Sequence, residues 1–421
     1  MTATDTIPTA APEATPTPTS RPMGTVHIVG AGPVGLFLAA LLQSVEGQRI
    51  RLYERRGEYT RTRMVSLAEY LTADSIDSYR SDPIDLRNVE AIFDSHQLEA
   101  GLAYRKTIAP DLRELLEAWT VGFVPLNTIE RALSALIEFR GTGTVERVTM
   151  GIDAEVALKA LEPDDVLVDC TGARSLMRDL LLPGDDELTT EGRNTPRVRM
   201  EYAVVVTFLY DQDYRCNEYC KYAKNVDNLA YKFIPAVRRT HYDGSVTHVT
   251  GIMNISEEQF DAMPPTCDGI YLREHYPEVA ESMDRFIDKI KAESHGEIIG
   301  ELQVVRIPLD LYRARHVTSQ AWHRSGLDHP LAESSVFLLG DAALGSPYFQ
   351  SISLGLESAF VLARHLLDLD QPIDDVFTRY ETFMYRQWMR VYMRTQMIKH
   401  NKDLLECVGD DIGLVAKLHV Y

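Results

Sequence analysis

Thr25-Val26-His27-Ile28-Val29-Gly30-Ala31-Gly32-Pro33-Val34-Gly35 joins a short β-branched run to glycines in the spacing G-x-G-x-x-G. Leu36 to Ser44, LFLAALLQS, then continues as an apolar helix, and Arg49 to Tyr53 forms a second strand. That strand ends at Glu54, 19 positions beyond Gly35. Each part has a physical task. Gly30 permits a tight turn, Gly32 lets the backbone approach a diphosphate, and Gly35 lets helix and strand pack closely. The N-terminus of the helix that follows the turn offers free amides and a positive dipole end. Glu54 is set to accept hydrogen bonds from an adenosine ribose, and a carboxylate there suits a free 2′-hydroxyl. The pattern therefore predicts FAD or NAD at this site rather than NADP.

Further segments extend the pattern. Arg55-Arg56-Gly57-Glu58-Tyr59-Thr60-Arg61-Thr62-Arg63 follows Glu54, and Leu126-Asn127-Thr128-Ile129-Glu130-Arg131 leads into a helix. Val166-Leu167-Val168-Asp169-Cys170-Thr171-Gly172 reads as a buried strand running into a turn. Far downstream, Val336 to Leu339 runs into Gly340-Asp341-Ala342-Ala343, ahead of a helix from Leu354 to Leu367.

Together these segments resemble the single-component FAD-dependent aromatic hydroxylases, the para-hydroxybenzoate hydroxylase-like family. The resemblance spans about Thr25 to Leu367 in motif order. It implies an α/β fold: a discontinuous Rossmann-like FAD-binding domain, a β-sheet-based substrate domain and a C-terminal helix. By this resemblance Gly30, Gly32, Pro33, Val34, Gly35, Glu54 and Arg55 hold the ADP half of FAD. Arg63, with Arg61 as the alternative, reaches the diphosphate, and Arg131 sits on the helix lining the flavin. Gly340 and Asp341 bind the ribityl side, Asp169 contacts the cofactor from the middle motif, and Ser353 contacts it from the later helix. The chain departs from the family in three places. Cys170 replaces a glycine, making the middle motif Asp-x-x-Gly as in related epoxidases and ring reductases. Leu344 stands where the family carries histidine, and Phe349-Gln350-Ser351 replaces a Gly-Gln-Gly stretch.

The implied activity is an NAD(P)H-dependent monooxygenase that hydroxylates or epoxidises an electron-rich small molecule with O₂, through a flavin C4a-hydroperoxide. A natural-product intermediate is one candidate substrate. The alternatives are an FAD-dependent reductase of the Asp-x-x-Gly type and a catalytically idle flavin-binding scaffold. No catalytic base is assigned. Neither a nucleophile elbow nor a metal-ligand cluster is visible, and Cys216 and Cys220 lack a second ligand pair at finger spacing.

The rest of the chain supplies bounds. Its 421 residues are 45% hydrophobic and 25% charged, the composition of a globular protein of two or three units. The net charge of −19 argues against a sequence-independent nucleic-acid binder. Five scattered cysteines are too few for a disulfide framework and suit reduced thiols in a cytoplasmic protein. No run reaches the ~18 apolar residues of a membrane span.

Residues 1–22, rich in Thr, Pro and Ala, read as a disordered tail without signal-peptide character. The expected divisions are FAD-binding residues 23–195, substrate-binding residues 196–325, and a second FAD-binding part at 326–421. Strand patterns appear at Val198 to Tyr210, Leu229 to Ile234, Val246 to Ile255 and Glu301 to Ile307, with a charged helix over Leu272 to Ala292. The tyrosines Tyr202, Tyr210, Tyr214, Tyr219, Tyr222 and Tyr231 suit sheet packing or a flat ligand. Arg306, Arg313 and Arg315 suit surface ion pairs or an anionic ligand. Val376 to His400 has the spacing of an amphipathic helix packed on the protein.

Overall fold

A run buried on both faces belongs in the middle of a parallel sheet, and β1 (Val26–Val29) and β6 (Val166–Asp169) are buried at every position. In the computed structural model they lie side by side, register Val26 to Val166. The structure describes residues 21–22, 24–61, 64–73, 75, 95–121, 123–140, 144–183, 194–212, 234–239, 246–347 and 351–408. The remaining strands are β2 (Arg49–Tyr53), β3 (Met64–Ser66), β4 (Phe123–Pro125), β5 (Thr144–Val148), β7 (Arg197–Tyr210), β8 (Ile234–Arg239), β9 (Thr247–Ile255), β10 (Thr266–Asp268), β11 (Ile298–Arg313), β12 (Ser335–Leu338) and β13 (Leu344–Gly345). The helices are α1 (Pro33–Leu42), α2 (Ser95–Thr107), α3 (Pro110–Thr120), α4 (Leu126–Arg140), α5 (Ala154–Lys159), α6 (Glu257–Ala262), α7 (Gly269–His275), α8 (Pro277–Ser294), α9 (Gln320–His323), α10 (Ser351–Leu367) and α11 (Ile373–Val408).

The first sheet is parallel throughout, in the order β12-β6-β1-β2-β5. Its central strand therefore pairs with one neighbour close in sequence and one far away, and β12 arrives from the C-terminal part of the chain. Helix α1 is apolar all round and packs on α4 and α10, so it lies sandwiched rather than at the surface. Reading the helix from Leu36 put its start too late, because Pro33 opens the first turn with φ already suited to a helix.

The second sheet is antiparallel, in the order β10-β11-β7-β9-β8, with β13 added to β11. Alternate residues Val204, Val206, Phe208 and Tyr210 of β7 pack with Met283, Phe286 and Ile290 of α8. Ala203, just before them, meets Ile252 and Leu309 on the opposite face. The single helix read over Leu272 to Ala292 is two helices, α7 and α8, because Pro277 cannot continue the first. Strand β11 runs beyond its predicted ends and carries a register shift between Leu309 and Asp310.

The predicted tail is anchored at its end. The Arg21 guanidinium and amide donate to the carbonyls of Leu366 (2.7 Å) and Leu369 (2.6 Å), capping the C-terminus of α10. Most of the strand read from Leu229 lies outside the described residues, as do Tyr214, Tyr219, Tyr222, Tyr231, Cys216 and Cys220. Among the described residues, no helix is long and apolar enough to cross a membrane.

Candidate functional site

The turn after β1 closes only because it lacks side chains. Gly30 has φ +102°, and a Cβ there would lie 2.6 Å from the Cys170 carbonyl oxygen. A Cβ on Gly35 would lie 2.0 Å from the Gly30 oxygen. Gly32 is different: its nearest neighbour would be an Arg61 nitrogen at 3.4 Å, so it keeps one side of the turn open. No side chain caps α1 at Gly32, leaving the first-turn amides to a ligand. A cavity of about 890 Å³ opens over this turn. Gly30, Gly32, Pro33, Val34, Glu54, Arg55, Gly340 and Asp341 all line it, whereas Gly35 is buried behind them.

Opposite the glycine turn, β12 delivers Leu339, Gly340 and Asp341 to the same cavity. Gly340 has φ +65°, and its Cβ position would be 3.4 Å from both Val34 methyls. The two glycine segments therefore pack directly on each other across the sheet. Tyr312 and Arg178 hold the second one from below: the Tyr312 hydroxyl donates to the Asp341 carbonyl (2.8 Å), and Arg178 donates to the carbonyls of Asp341 (3.4 Å) and Ala342 (3.3 Å). Burial pushes the Tyr312 hydroxyl up to about 12, which keeps it a neutral donor.

Glu54 lies at the end of β2, as its sequence position implies. Its Oε2 accepts from the Ala31 amide (3.0 Å) and from the Arg56 guanidinium (3.0 Å). Its Oε1 accepts from the Arg56 amide (2.9 Å) and Nε (3.0 Å). Burial works to raise this carboxyl, but the Arg56 hydrogen bonds, with help from Ala31, bring it below the usual carboxylate range.

Arg56 and Arg61 are lining residues that the sequence reading did not select as the main contacts. Arg61 pairs with Glu130, which is fully buried on α4, and so hangs over Gly32 at the cavity mouth. Burial pushes the Glu130 carboxyl up despite this pairing. Four arginines (Arg55, Arg56, Arg61 and Arg174) and three carboxylates (Glu54, Asp153 and Asp341) line the cavity. Within a chain of net charge −19, this is a local excess of cations suited to a diphosphate.

Three expected contacts sit elsewhere. Asp169 is buried, and its oxygens take the Thr171 amide (2.9 Å) and hydroxyl (2.6 Å), the Ser175 hydroxyl (2.6 Å) and the Met177 amide (2.8 Å). It shapes the loop whose Thr171, Gly172 and Ala173 reach the cavity and does not line it. Ser353 is buried and accepts from the Ala68 amide (2.9 Å), while its neighbours Ser351 and Ile352 do the lining. Arg131 is exposed and donates to the Tyr59 carbonyl (3.1 Å); the preceding residue, Glu130, points inward instead. Arg63, Phe349 and Gln350 lie outside the described residues. Leu344, at the family's histidine position, is buried in β13 against Arg313 of β11. Among the described residues no group of His, Cys, Asp and Glu is arranged to hold a metal ion.

No protein-family model and no curated protein matches the chain. Solved structures do. The p-nitrophenol 4-monooxygenase PnpA of Pseudomonas putida DLL-E4 superposes with a TM-score of 0.50 at 14% identity, over 94% of this chain and 96% of that one. The tetracycline destructase Tet(51) gives 0.49 at 11% identity, over 94% and 96%. P. aeruginosa PqsL, solved with 2-aminobenzoylacetate, gives 0.44 at 16% identity, over 94% and 98%. With its parallel sheet, antiparallel sheet and C-terminal helices in this order, the chain shares its overall fold with the p-nitrophenol 4-monooxygenase PnpA.

Proposed function

We propose that this protein is an FAD-dependent monooxygenase that uses O₂ to oxygenate a small aromatic or otherwise electron-rich molecule, with NAD(P)H as reductant. The observation that carries this reading is the meeting of two glycine segments, Gly30 to Val34 and Gly340-Asp341, on one cavity of about 890 Å³. A cofactor with a nucleotide at one end and a flavin at the other needs both.

The residues present fit FAD. At one end the glycine turn leaves a cradle that a methyl group would fill, with the first amides of α1 facing it. Arg61 and those amides would neutralise the diphosphate, Glu54 would accept from the ribose, and Asp341 would accept from the sugar-alcohol chain. Gly172 and Ala173 would border the flavin side. The start of α10 enters the cavity at Ser351 and Ile352, and the positive end of that helix favours negative charge beside it. FAD would supply the redox chemistry itself, taking electrons from the nicotinamide and delivering them to oxygen. Neither imidazole nor thiolate is needed for that supply, and Leu344 brings none.

The test is a titration of the purified protein with FAD, followed by anaerobic addition of NADPH and then NADH. A flavin spectrum that bleaches with either nucleotide and returns with air is the expected result. Bound flavin that neither nucleotide reduces would favour a partner reductase or an idle scaffold. A protein that takes up no FAD would overturn the reading.

A further inference from the structure

Glu54 has no acceptor position to spare. A carboxylate offers about four lone-pair sites, and here the Ala31 amide takes one while Arg56 takes three, through its amide, Nε and a terminal nitrogen. A ribose approaching Glu54 therefore meets a group already satisfied. The same terminal nitrogen of Arg56 stands 3.8 Å from Oε1 of Glu130. Glu130 is fully buried, its Oε1 is used by Arg61, and its equally buried Oε2 has no hydrogen-bond partner among the described residues. An unmade hydrogen bond on a buried carboxylate is costly, so Glu130 is an acceptor waiting for a donor.

We propose that Arg56 exchanges partners when the cofactor docks, passing from Glu54 to Glu130 and so freeing Glu54 for the ribose hydroxyls. The inference rests on the cofactor reading above. The move is short: closing the 3.8 Å to Oε1, which can accept a second donor beside Arg61, needs a shift of about 1 Å and brings Arg56 onto the carboxylate whose Oε2 is unpartnered. Arg56 is one-third exposed and thus able to swing, whereas Glu54 is only 12% exposed. The Arg56 amide stays on Glu54 throughout and keeps the carboxylate aimed. The net charge of Arg56, Arg61, Glu54 and Glu130 is the same before and after: both arginines then lie on Glu130, while Glu54 keeps the Ala31 and Arg56 amides and gains the ribose hydroxyls. The sum of the buried charges is unchanged while the ribose site opens.

Adenosine is the discriminating probe because it carries the ribose without phosphates that Arg56 could attract. Calorimetric titration of the cofactor-free protein is expected to show Arg56→Met binding adenosine about three- to ten-fold more tightly than wild type, the scale of one partly exposed ion pair no longer in competition. Glu130→Gln is expected to weaken adenosine by a similar factor, since the landing acceptor has lost its charge. In the Arg56→Met background the Glu130→Gln change is expected to have no effect, because Glu130 acts on the ribose only through Arg56. Unchanged or weaker adenosine binding by Arg56→Met would overturn the exchange and make Arg56 a fixed clamp. A Glu130 effect that persists without Arg56 would overturn it too. Thermal unfolding checks each variant, and Arg56→Gln repeats the decisive arm should Arg56→Met fold poorly. If wild type and variants alike bind neither adenosine, ADP nor FAD, the cofactor reading itself fails. Wild type that binds FAD beside an unimproved Arg56→Met defeats the exchange alone.

Discussion

One methyl group separates a glycine that builds the turn from a glycine that serves the ligand. Adding Cβ to Gly35 puts it 2.0 Å from the Gly30 oxygen, with backbone on one side and Cys170 on the other. Gly35→Ala is expected to lose about 1–3 kcal/mol of stability through overpacking, read as a lowered midpoint of urea unfolding. Gly32→Ala meets nothing closer than the Arg61 tip at 3.4 Å, so it should leave the midpoint nearly unchanged and weaken FAD binding instead. Comparing unfolding with flavin titration for the two variants separates the roles. Equal loss of stability in both would refute the distinction. The glycine pattern was legible from sequence because its causes are local: a turn, a helix start and a strand end within 30 residues. Asp169 was not legible in the same way. Its place at the end of β6 follows from the strand pattern, but which way a carboxylate turns depends on donors in its own loop. Glu130 was passed over in favour of the adjacent Arg131, because single-residue offsets on a helix swing a side chain by about 100°.

At the scale of elements, α10 and α11 are joined by a buried ion pair. The Arg390 guanidinium meets the Glu357 carboxylate, both side chains being no more than 3% exposed, and Gln387 also donates to Glu357 (3.1 Å). Arg390→Met removes the cation and leaves a carboxylate in the interior. That change is expected to cost about 3–5 kcal/mol in urea unfolding, well above a surface arginine. Replacing both members by apolar residues, Arg390→Met with Glu357→Leu, should recover most of the loss. The helical spacing from Val376 to His400 correctly implied a face of Phe377, Tyr380 and Met384 packed on the protein, and these are buried. An arginine belongs by default to the polar face of such a helix, yet Arg390 is among the most deeply buried large side chains. Periodicity records which residues are apolar. The partner that makes a buried charge tolerable lies 33 residues away on another helix, and no local pattern carries it.

At the scale of the molecule, acid should weaken the fold. Burial lowers His27, His316 and His365 from their ordinary value of 6.5, with His365 brought to about 4. A histidine depressed in the folded state stays neutral there while the unfolded chain takes up a proton. Stability is thus retained above pH 6.5 and lost as pH falls toward 4. For His365 alone the loss is on the order of 2–3 kcal/mol. Melting temperature measured between pH 7 and 4.5 should fall steadily, and His365→Gln should flatten part of that slope. A wild-type slope unchanged by the substitution would exclude His365 as a contributor.

Strand β12 gives the whole molecule a schedule. It pairs with β6, yet Leu338 lies 169 positions beyond its partner Asp169, and Gly340-Asp341 follows the strand after the single residue Leu339. At translation rates of about 5–20 residues per second, β6 emerges roughly ten to thirty seconds before its neighbour exists. During that interval Val166, Leu167 and Val168 form the uncovered margin of a half-built sheet, the kind of margin that recruits other chains. A ribosome that stalls before Ser335 therefore releases an adhesive fragment with an open seam, lacking the Gly340-Asp341 segment that completes the cavity wall.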